Sequence, residues 1–436
     1  MTGREAALQV LTACRRLDAW SDGSLKAAAR GLDRREAAFA ARLTYGVLQN
    51  RALLDFYLSR CCDQSFEKLE PFVRDVLRLG AYQILLMDRV PDSAAVSQAV
   101  EMVKGHRRQR AAGMVNAVLR RLSREKNGLP AIPRENLGDY LALRYSHPRW
   151  LVERLLELVG PEETEAFLRL DNEPAPVSIQ RNPLRRDREG FLADWARAGV
   201  SLEAHPWMPD CWLLAGAGDL EEQPAFQEGA FQVQDAAARA AVLAAGPKPG
   251  QRVLDVCAAP GGKTFTAAME MEDRGEIVAC DIHPHKLALI EKNGARLGVT
   301  CVRTELADGR ENRAAWNGAF DLVICDVPCS GLGIIRKKPD IRYKDPKKLA
   351  GLPRVQRAIL ENASRYVKPG GALLYATCTI LPEENDQVTA DFLAAHSDFH
   401  KEPFRLPGGE ETDGSLTLWP QRLGTDGFYI CKMRKT

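Results

Sequence analysis

Two cysteines follow two neighbouring apolar runs, at places where a single reaction could use both thiols. Cys329 stands in the motif DVPCSG at 326–331, and Cys378 stands in the motif ATCT at 376–379. A third apolar run, further upstream, ends in the glycine-rich turn DVCAAPGGKT at 255–264. A thiolate is a strong nucleophile, so two thiols beside a turn that suits a nucleotide-type cofactor predict covalent attack on a base and group transfer to it.

A mainly parallel β-sheet is the element that must position these motifs. From residue 231 onward, short apolar runs alternate with helical stretches, as in 253–257, 277–280, 322–325 and 372–375. Buried runs alternating with helices indicate βαβ units. Ligands bind beyond the carboxyl ends of the strands in such sheets, and the glycine turn and both cysteines lie at those ends.

Acidic residues follow the next strands of this predicted sheet. Asp281 ends the second run, Asp308 ends the third and Asp326 ends the fourth. A carboxylate about 20 residues after the glycines commonly binds ribose hydroxyls. The residues GGKT at 261–264 also suggest a phosphate-binding P-loop, but that motif needs a glycine where Cys257 stands. The converging acids favour a cationic ligand without phosphates.

The composition of the 436-residue chain excludes several classes of protein. No apolar run approaches the roughly 20 residues that cross a membrane, and the first residues lack a signal-peptide core, so a cytoplasmic protein is expected. Eleven scattered cysteines are typical neither of a disulfide framework nor, without a Cys-x-x-Cys pair, of a zinc site. We expect no metal.

Residues 1–130 are predicted to form an all-helical domain with a basic surface. Apolar residues recur there at spacings of three and four. Residues 1–126 hold 22 basic and 14 acidic side chains, whereas residues 127–436 hold 38 and 44. This asymmetry indicates a polyanionic partner for the first part, or simply a solvated helical surface.

A breaker-rich stretch, NGLPAIP at 127–133, predicts a linker after the helical domain. Residues 131–230 then favour a small α+β connecting domain, with short strands near 177–182 and 211–214. Residues 231–436 form the third predicted domain, which carries the sheet.

The motifs resemble those of the RNA (cytosine-5)-methyltransferases. The helical part is similar to NusB-type RNA-binding domains, on the segments RLTYGVL at 42–48, LGAYQ at 79–83 and GMVNAVLR at 113–120. Together they make the chain resemble the bacterial 16S rRNA (cytosine-5)-methyltransferases of the RsmB/Sun type. Val327 and Ala376 replace the usual Ala and Ser, and both are small and uncharged.

The resemblance implies a class I, Rossmann-like α/β methyltransferase domain behind a NusB-like domain and an α+β connecting domain. It implies S-adenosyl-L-methionine as cofactor and cytosine 967 of 16S rRNA as target. The cofactor contacts it implies are Cys257, Ala258, Ala259, Pro260, Gly261, Gly262, Lys263, Asp281, Asp308 and Asp326.

Methylation of cytosine explains why two thiols are useful. C5 becomes nucleophilic once a thiolate adds to C6, and afterwards the C5 proton and the thiolate must leave. The chemistry does not say which cysteine does which. Resemblance to the RNA enzymes makes Cys378 the nucleophile and gives Cys329 the role in product release, whereas DNA enzymes use the Pro-Cys thiol. Asp326 is the candidate partner of the pyrimidine edge, and Lys263 the candidate electrostatic assistant.

A basic run follows the Cys329 motif. Residues 336–357 hold nine basic and two acidic side chains, which favours phosphate contacts over a merely solvated surface. The candidate RNA contacts are Arg336, Lys337, Lys338 and Arg342. We expect a monomer acting on 16S ribosomal RNA. The alternatives are another RNA, such as tRNA, or an RNA-binding factor without activity.

Overall fold

The computed structural model of the protein describes residues 1–17, 20–214, 220–409 and 411–436. The chain divides into two compact units. A helical unit comprises residues 1–174 and 335–344, and a sheet unit comprises residues 175–334 and 345–436. The predicted domain boundaries near residues 130 and 230 stay predictions. The inclusion of 335–344 in the helical unit was not expected.

The helical unit is built on amphipathic helices, as the periodicity predicts. On α6, for example, Val115, Val118 and Leu122 are buried while the arginines of the same helix lie outside. Pro71 begins α4 and Pro91 directly precedes α5, positions that proline tolerates. The helices are α1 (Gly3–Leu17), α2 (Ser21–Ala28), α3 (Arg34–Cys61), α4 (Pro71–Leu86), α5 (Asp92–Gly105), α6 (Gln109–Glu125), α7 (Leu137–Arg144) and α8 (Arg149–Leu170).

Arg342 is buried inside the helical unit, so its prediction as an RNA contact is wrong. It lies in the short 3-10 turn Pro339–Tyr343 and is 1% exposed. Its guanidinium donates to the carbonyl oxygens of Gln49 and Asp171, and to those of Tyr145 and Ser146, at 2.9–3.4 Å.

These carbonyls lie at helix ends or at a kink. Tyr145 caps the C-terminus of α7, Asp171 caps that of α8, and Gln49 precedes the non-helical Asn50 within α3. Carbonyl groups at helix C-termini lack intrahelical donors and carry partial negative charge. The buried guanidinium satisfies several of them at once. A count of basic residues along the sequence could not show this.

A small antiparallel sheet opens the sheet unit. Its strand order is β2-β3-β1-β4, and its core contains Phe191, Trp195 and Phe231. Strands β1 and β3 confirm the short strands predicted for this part. The elements are β1 (Val177–Arg181), α9 (Arg188–Arg197), β2 (Leu202–Ala204), β3 (Cys211–Leu214), α10 (Pro224–Gln227) and β4 (Phe231–Val233).

The large sheet confirms the predicted α/β class. Its order is β10-β12-β9-β8-β5-β6-β7, with β11 paired to β12. Strands β5 to β9 are parallel, and β10, β11 and β12 pair antiparallel. The elements are α11 (Ala236–Ala245), β5 (Arg252–Asp255), α12 (Gly262–Glu270), β6 (Glu276–Asp281), α13 (Pro284–Leu297), β7 (Val302–Leu306), β8 (Phe320–Asp326), α14 (Pro346–Leu349), α15 (Leu352–Tyr366), β9 (Val367–Thr377), α16 (Asp386–Ala395), β10 (Phe399–Lys401), β11 (Ser415–Leu418), α17 (Pro420–Leu423) and β12 (Phe428–Lys435).

The strand ends lie close to where the sequence predicts them. Asp281 ends β6 and Asp326 ends β8, as expected, whereas β7 ends at Leu306, two residues before Asp308. Cys378 directly follows β9. Among the described residues, no helix combines the length and the apolar character that a membrane span needs.

Candidate functional site

The glycine-rich turn joins β5 to α12 and depends on glycine at its centre. Gly261 has a φ of 106°, which favours glycine, and a Cβ added there would lie 2.4 Å from the ring of Phe265. Gly261 also caps α12, which begins at Gly262. The free N–H groups at a helix N-terminus suit an anionic group such as a carboxylate.

Carboxylates line the neighbouring strand ends. Asp281 is 6% exposed, and its Oδ1 accepts a hydrogen bond from the backbone N–H of His283 at 2.9 Å. Asp308 pairs with Arg310, and the ion pair lowers the pKa of Asp308 below its usual value. Asp326 pairs with Lys263. Acceptors in a row suit hydroxyl groups and a cationic centre.

A cavity of about 420 Å³ adjoins Asp308. Ile282 and Leu306 line it, and each is 49% exposed despite its apolar side chain. Apolar surface beside Asp308 suits a flat base attached to a ribose. A helix N-terminus, acceptor carboxylates and an apolar wall therefore fit S-adenosylmethionine, and the predicted turn and acids are the residues that would hold it.

The two predicted thiols lie together. Cys329 Sγ and Cys378 Sγ are 3.3 Å apart, and both side chains are half-buried. The parallel pairing of β8 with β9 brings them together, because Asp326 lies opposite Ala376 in the register. The hydrogen bond with Cys378 and burial raise the pKa of the Cys329 thiol well above its usual value. Cys329 is therefore a protonated thiol at neutral pH.

Lys263 brings a positive charge to the same place. Its Nζ lies 2.6 Å from Asp326 Oδ2 and 4.8 Å from the ring centre of Phe428. Burial lowers the pKa of Lys263, but the charge and the hydrogen bond of Asp326, together with Cys378 and Asp255 nearby, outweigh burial and raise the pKa above its ordinary value. The Asp326 side chain remains 31% exposed, so it is accessible to a ligand.

Two further groups at the turn, Asp255 and Cys257, have raised pKa values. Burial raises the pKa of Asp255 to about 7, although Thr264 donates a hydrogen bond to its Oδ2 at 2.7 Å. Burial raises the pKa of Cys257 well above its usual value. Cys257 lies in the glycine-rich turn, and its contact with the cofactor stays a prediction.

The structure adds residues that sequence reasoning missed. Phe428 lies beneath Lys263, although the sequence shows it only as part of the short apolar run FYIC at 428–431. Glu384 and Gln356 bond to each other and to the loops that carry the cysteines. Glu384 lies only six residues beyond Cys378, which is a weak signal, and no pattern singles out Gln356.

The remaining candidate RNA contacts lie in the helical unit. Arg336 donates to the carbonyl oxygens of Glu173 and Pro174, and Lys338 Nζ lies 5.3 Å from the ring centre of Trp20. Arg336, Lys337 and Lys338 are half-buried, and their role stays a prediction. Within the described part of the chain, no cluster of His, Cys, Asp and Glu could hold a metal ion.

Comparison with known families gives three consecutive matches. Residues 1–124 match the NusB family, residues 147–221 match the ferredoxin-like domain of RsmF/B-like methyltransferases, and residues 241–434 match the family described as 16S rRNA methyltransferase RsmB/F.

Similar proteins match along their full lengths. "Probable ribosomal RNA small subunit methyltransferase B" of Bacillus subtilis is 36% identical over 99% of this chain and 98% of its own. The protein of the same description from Synechocystis is 33% identical over all of both chains. A solved methyltransferase homologue from Pyrococcus horikoshii is 27% identical, with a TM-score of 0.59 over 70% of this chain and 100% of its own.

Proposed function

Because the chain belongs to the 16S rRNA methyltransferase RsmB/F family, we propose that it methylates C5 of a cytosine in 16S rRNA through a covalent Cys–C6 adduct. The observation that carries this proposal is the pair of thiols 3.3 Å apart beside Lys263 and Asp326. The proposed target, by family resemblance, is cytosine 967. An rRNA substrate implies a cytoplasmic enzyme, and we propose that it acts as a monomer.

Cys378 is the proposed nucleophile. Its Sγ adds to C6 of the cytosine, which makes C5 an enamine carbon able to take a methyl group. S-adenosylmethionine supplies that methyl group when bound. The positive charge of Lys263, which interacts electrostatically with Cys378, stabilises negative charge in this pocket. Asp326 is accessible and is the proposed hydrogen-bonding partner of the pyrimidine near N3 and N4.

Cys329 is the proposed residue for product release. After methylation the C5 proton must leave and the bond between C6 and Cys378 must break. Cys329 lies beside Cys378, where its sulfur could assist the elimination. Before the Cys329 sulfur can accept the C5 proton, its own thiol proton must pass to another base or to water.

The decisive experiment maps the product. Unmethylated 16S rRNA and a tRNA pool are each incubated with the protein and labelled S-adenosylmethionine, and the modified base is identified. We expect 5-methylcytosine at one site in 16S rRNA. Label in tRNA alone would contradict the proposed substrate, and label at another position of the base would contradict the chemistry.

Substitution of each cysteine tests the division of roles. Cys378→Ala should abolish transfer and leave cofactor binding within about threefold, because the cofactor residues lie on other strand ends. Cys329→Ala should methylate once and leave a protein–RNA adduct that survives a denaturing gel. The double variant should give no adduct. Turnover by Cys378→Ala, with none by Cys329→Ala, would reverse the roles.

The helical unit is the proposed source of rRNA affinity. Its excess of basic side chains and its match to the NusB family support this. Deleting residues 1–126 would remove Gln49, a partner of Arg342, so substitution of exposed arginines is the cleaner test. Replacing Arg107 and Arg110 by Gln should weaken rRNA binding about tenfold at moderate salt, with cofactor binding unchanged. Unchanged affinity would contradict the idea.

A further inference from the structure

Glu384 connects the two cysteine loops through a single buried carboxylate. Glu384 is 2% exposed. Its Oε2 accepts a hydrogen bond from the backbone N–H of Ser330 at 2.9 Å, and its Oε1 accepts one from Thr379 Oγ1 at 3.2 Å. Ser330 follows Cys329 and Thr379 follows Cys378. The carboxylate therefore reaches the residue next to each thiol.

Further hydrogen bonds connect Glu384 and the two cysteine loops. Ser330 Oγ and Thr379 Oγ1 lie 2.7 Å apart. Gln356 Nε2 donates to Glu384 Oε2 at 2.8 Å and to the carbonyl oxygen of Pro328, the residue before Cys329, at 3.0 Å. The hydroxyl of Tyr375 donates to the backbone carbonyl of Glu384 at 2.6 Å. The backbone on both sides of Cys329 is thus tied to this group.

The buried carboxylate of Glu384 needs its hydrogen-bond donors to stay in place. The donors to the Glu384 side chain are neutral, namely a backbone N–H, a side-chain amide and a hydroxyl. A buried carboxylate is costly unless hydrogen bonds replace its water, and hydrogen bonds to an ionised acceptor are shorter and stronger than neutral ones. Displacing Ser330 or Thr379 would leave the charge short of a donor. Both loops are therefore held at a fixed separation.

We propose that Glu384 is a positioning residue that holds the Cys329 and Cys378 thiols within reach of each other. Its effect on catalysis rests on the proposed function, because release of the product requires both sulfurs at the same cytosine. The separation of the thiols is a property of the protein alone, so it can be measured without RNA or methyl transfer.

Phenylarsine oxide measures that separation directly. The arsenic condenses with two thiols to form two As–S bonds and releases one water, with no change in oxidation state. Two thiols that can reach one arsenic bind it far more tightly than one, because the second bond is intramolecular. Wild type should therefore bind the arsenical through this pair, and Cys329→Ala and Cys378→Ala define the binding that remains through the other cysteines, including the adjacent Cys61 and Cys62.

Glu384→Ala should lose this tight binding by about a hundredfold and approach the single-cysteine variants. The matched control is Glu361→Ala, which removes a glutamate of α15 that pairs with His396, and it should bind like wild type. Retained binding of labelled S-adenosylmethionine shows that the variant is folded. A folded Glu384→Ala variant with wild-type arsenical binding would overturn the proposal.

Glu384→Gln separates position from charge. An amide oxygen can still accept from Ser330 and Gln356, and its NH₂ can donate to Thr379 Oγ1 if that hydroxyl turns toward Ser330 Oγ. We expect arsenical binding within about threefold of wild type. Loss as complete as in Glu384→Ala, in a variant that still binds cofactor, would support the positioning role and would assign it to the charge of the carboxylate.

The consequence for the reaction is a change in its products. Glu384→Ala should accumulate the protein–RNA adduct at least tenfold over wild type, as Cys329→Ala does, because the second thiol is misplaced. If wild type itself forms no 5-methylcytosine, the proposed function fails while the arsenical result still decides the role of Glu384. If wild type is active and the variant releases its product normally, the positioning role in catalysis is wrong.

Discussion

Lys263 and Arg342 are both cations with little exposure to solvent, one in each unit of the chain, but their partners differ in kind. Lys263 faces a carboxylate, Asp326, and its pKa is raised above the ordinary value. Arg342 donates to four backbone carbonyl groups, and burial lowers its pKa. The first arrangement brings charge to a reactive pocket. The second satisfies carbonyl groups at helix ends. A buried cation by itself therefore does not indicate a functional site.

The largest effect should come from removing the structural cation. Arg342→Met leaves four carbonyl oxygens without this donor and should reduce the local stability of the helical unit by about 3 kcal/mol. Hydrogen exchange of α7, α8 and the kink in α3 would report it as an increase of roughly a hundredfold. Arg357→Met is the control, because that side chain is 48% exposed and belongs to the same basic run. Equal exchange in both variants would remove the distinction drawn above.

Loss of the other cation should affect rate more than stability. Lys263→Met removes a charged partner of Asp326 and should lower kcat by about thirtyfold, since such hydrogen bonds contribute roughly 2 kcal/mol. Thermal unfolding should change little beside that of Lys292→Met, an exposed lysine of α13. A strongly destabilised variant with normal kcat would place Lys263 with the structural cations.

Another buried ionisable group of the sheet unit, the carboxyl group of Asp255, should make the stability of the protein depend on pH. Its pKa is about 7 in the folded protein, against about 3.9 in an unfolded chain. Between those values the folded state holds a proton that the unfolded state releases, so this group's contribution to stability decreases as pH rises from about 4 to 7. Asp255→Asn lacks the effect. Its Tm relative to wild type should therefore rise by a few degrees between pH 5 and pH 8, and a constant difference would contradict the assignment.

The smallest effect is expected at Lys338, a half-buried lysine of the basic run. Lys338 is 40% exposed on its side chain, unlike Arg342. Lys338→Gln should weaken rRNA binding about threefold and reduce the salt dependence by roughly one phosphate contact, a slope change near 0.7. Titrations at several salt concentrations measure both. An unchanged slope would mean that Lys338, like Arg342, contacts other groups of the protein and not the RNA.

Local sequence predicted the cofactor turn and the cysteines because their partners follow from strand order. Asp281, Asp326 and Cys378 lie at or next to an end of a parallel strand, and Gly261 lies in the turn that follows β5. Such ends meet at one edge of a sheet. The same reasoning predicted the α/β class. It missed the antiparallel β10 and β11, which are only three and four residues long.

The errors and omissions involve partners that are distant in sequence. Arg342 lies 171 to 293 residues from the carbonyl groups that it meets, and a count of basic residues contains no information on burial. Glu384 meets Ser330, which is 54 residues away. Neither contact follows from periodicity or spacing. They depend on how loops fold over the strand ends, which tertiary packing decides.

The helical unit is built from two segments that are far apart in the chain, and this determines when it can be completed during synthesis. Residues 1–174 leave the ribosome well before residues 335–344, and the small sheet and strands β5 to β8 are translated between them. N-terminal domains commonly fold while translation continues. At that stage Arg342, whose guanidinium donates to carbonyl groups at the ends of α7 and α8 and at the kink in α3, has not yet been translated. The first part of the protein to be made is therefore among the last to be completed, and a gene fragment ending at residue 174 would encode an unfinished unit.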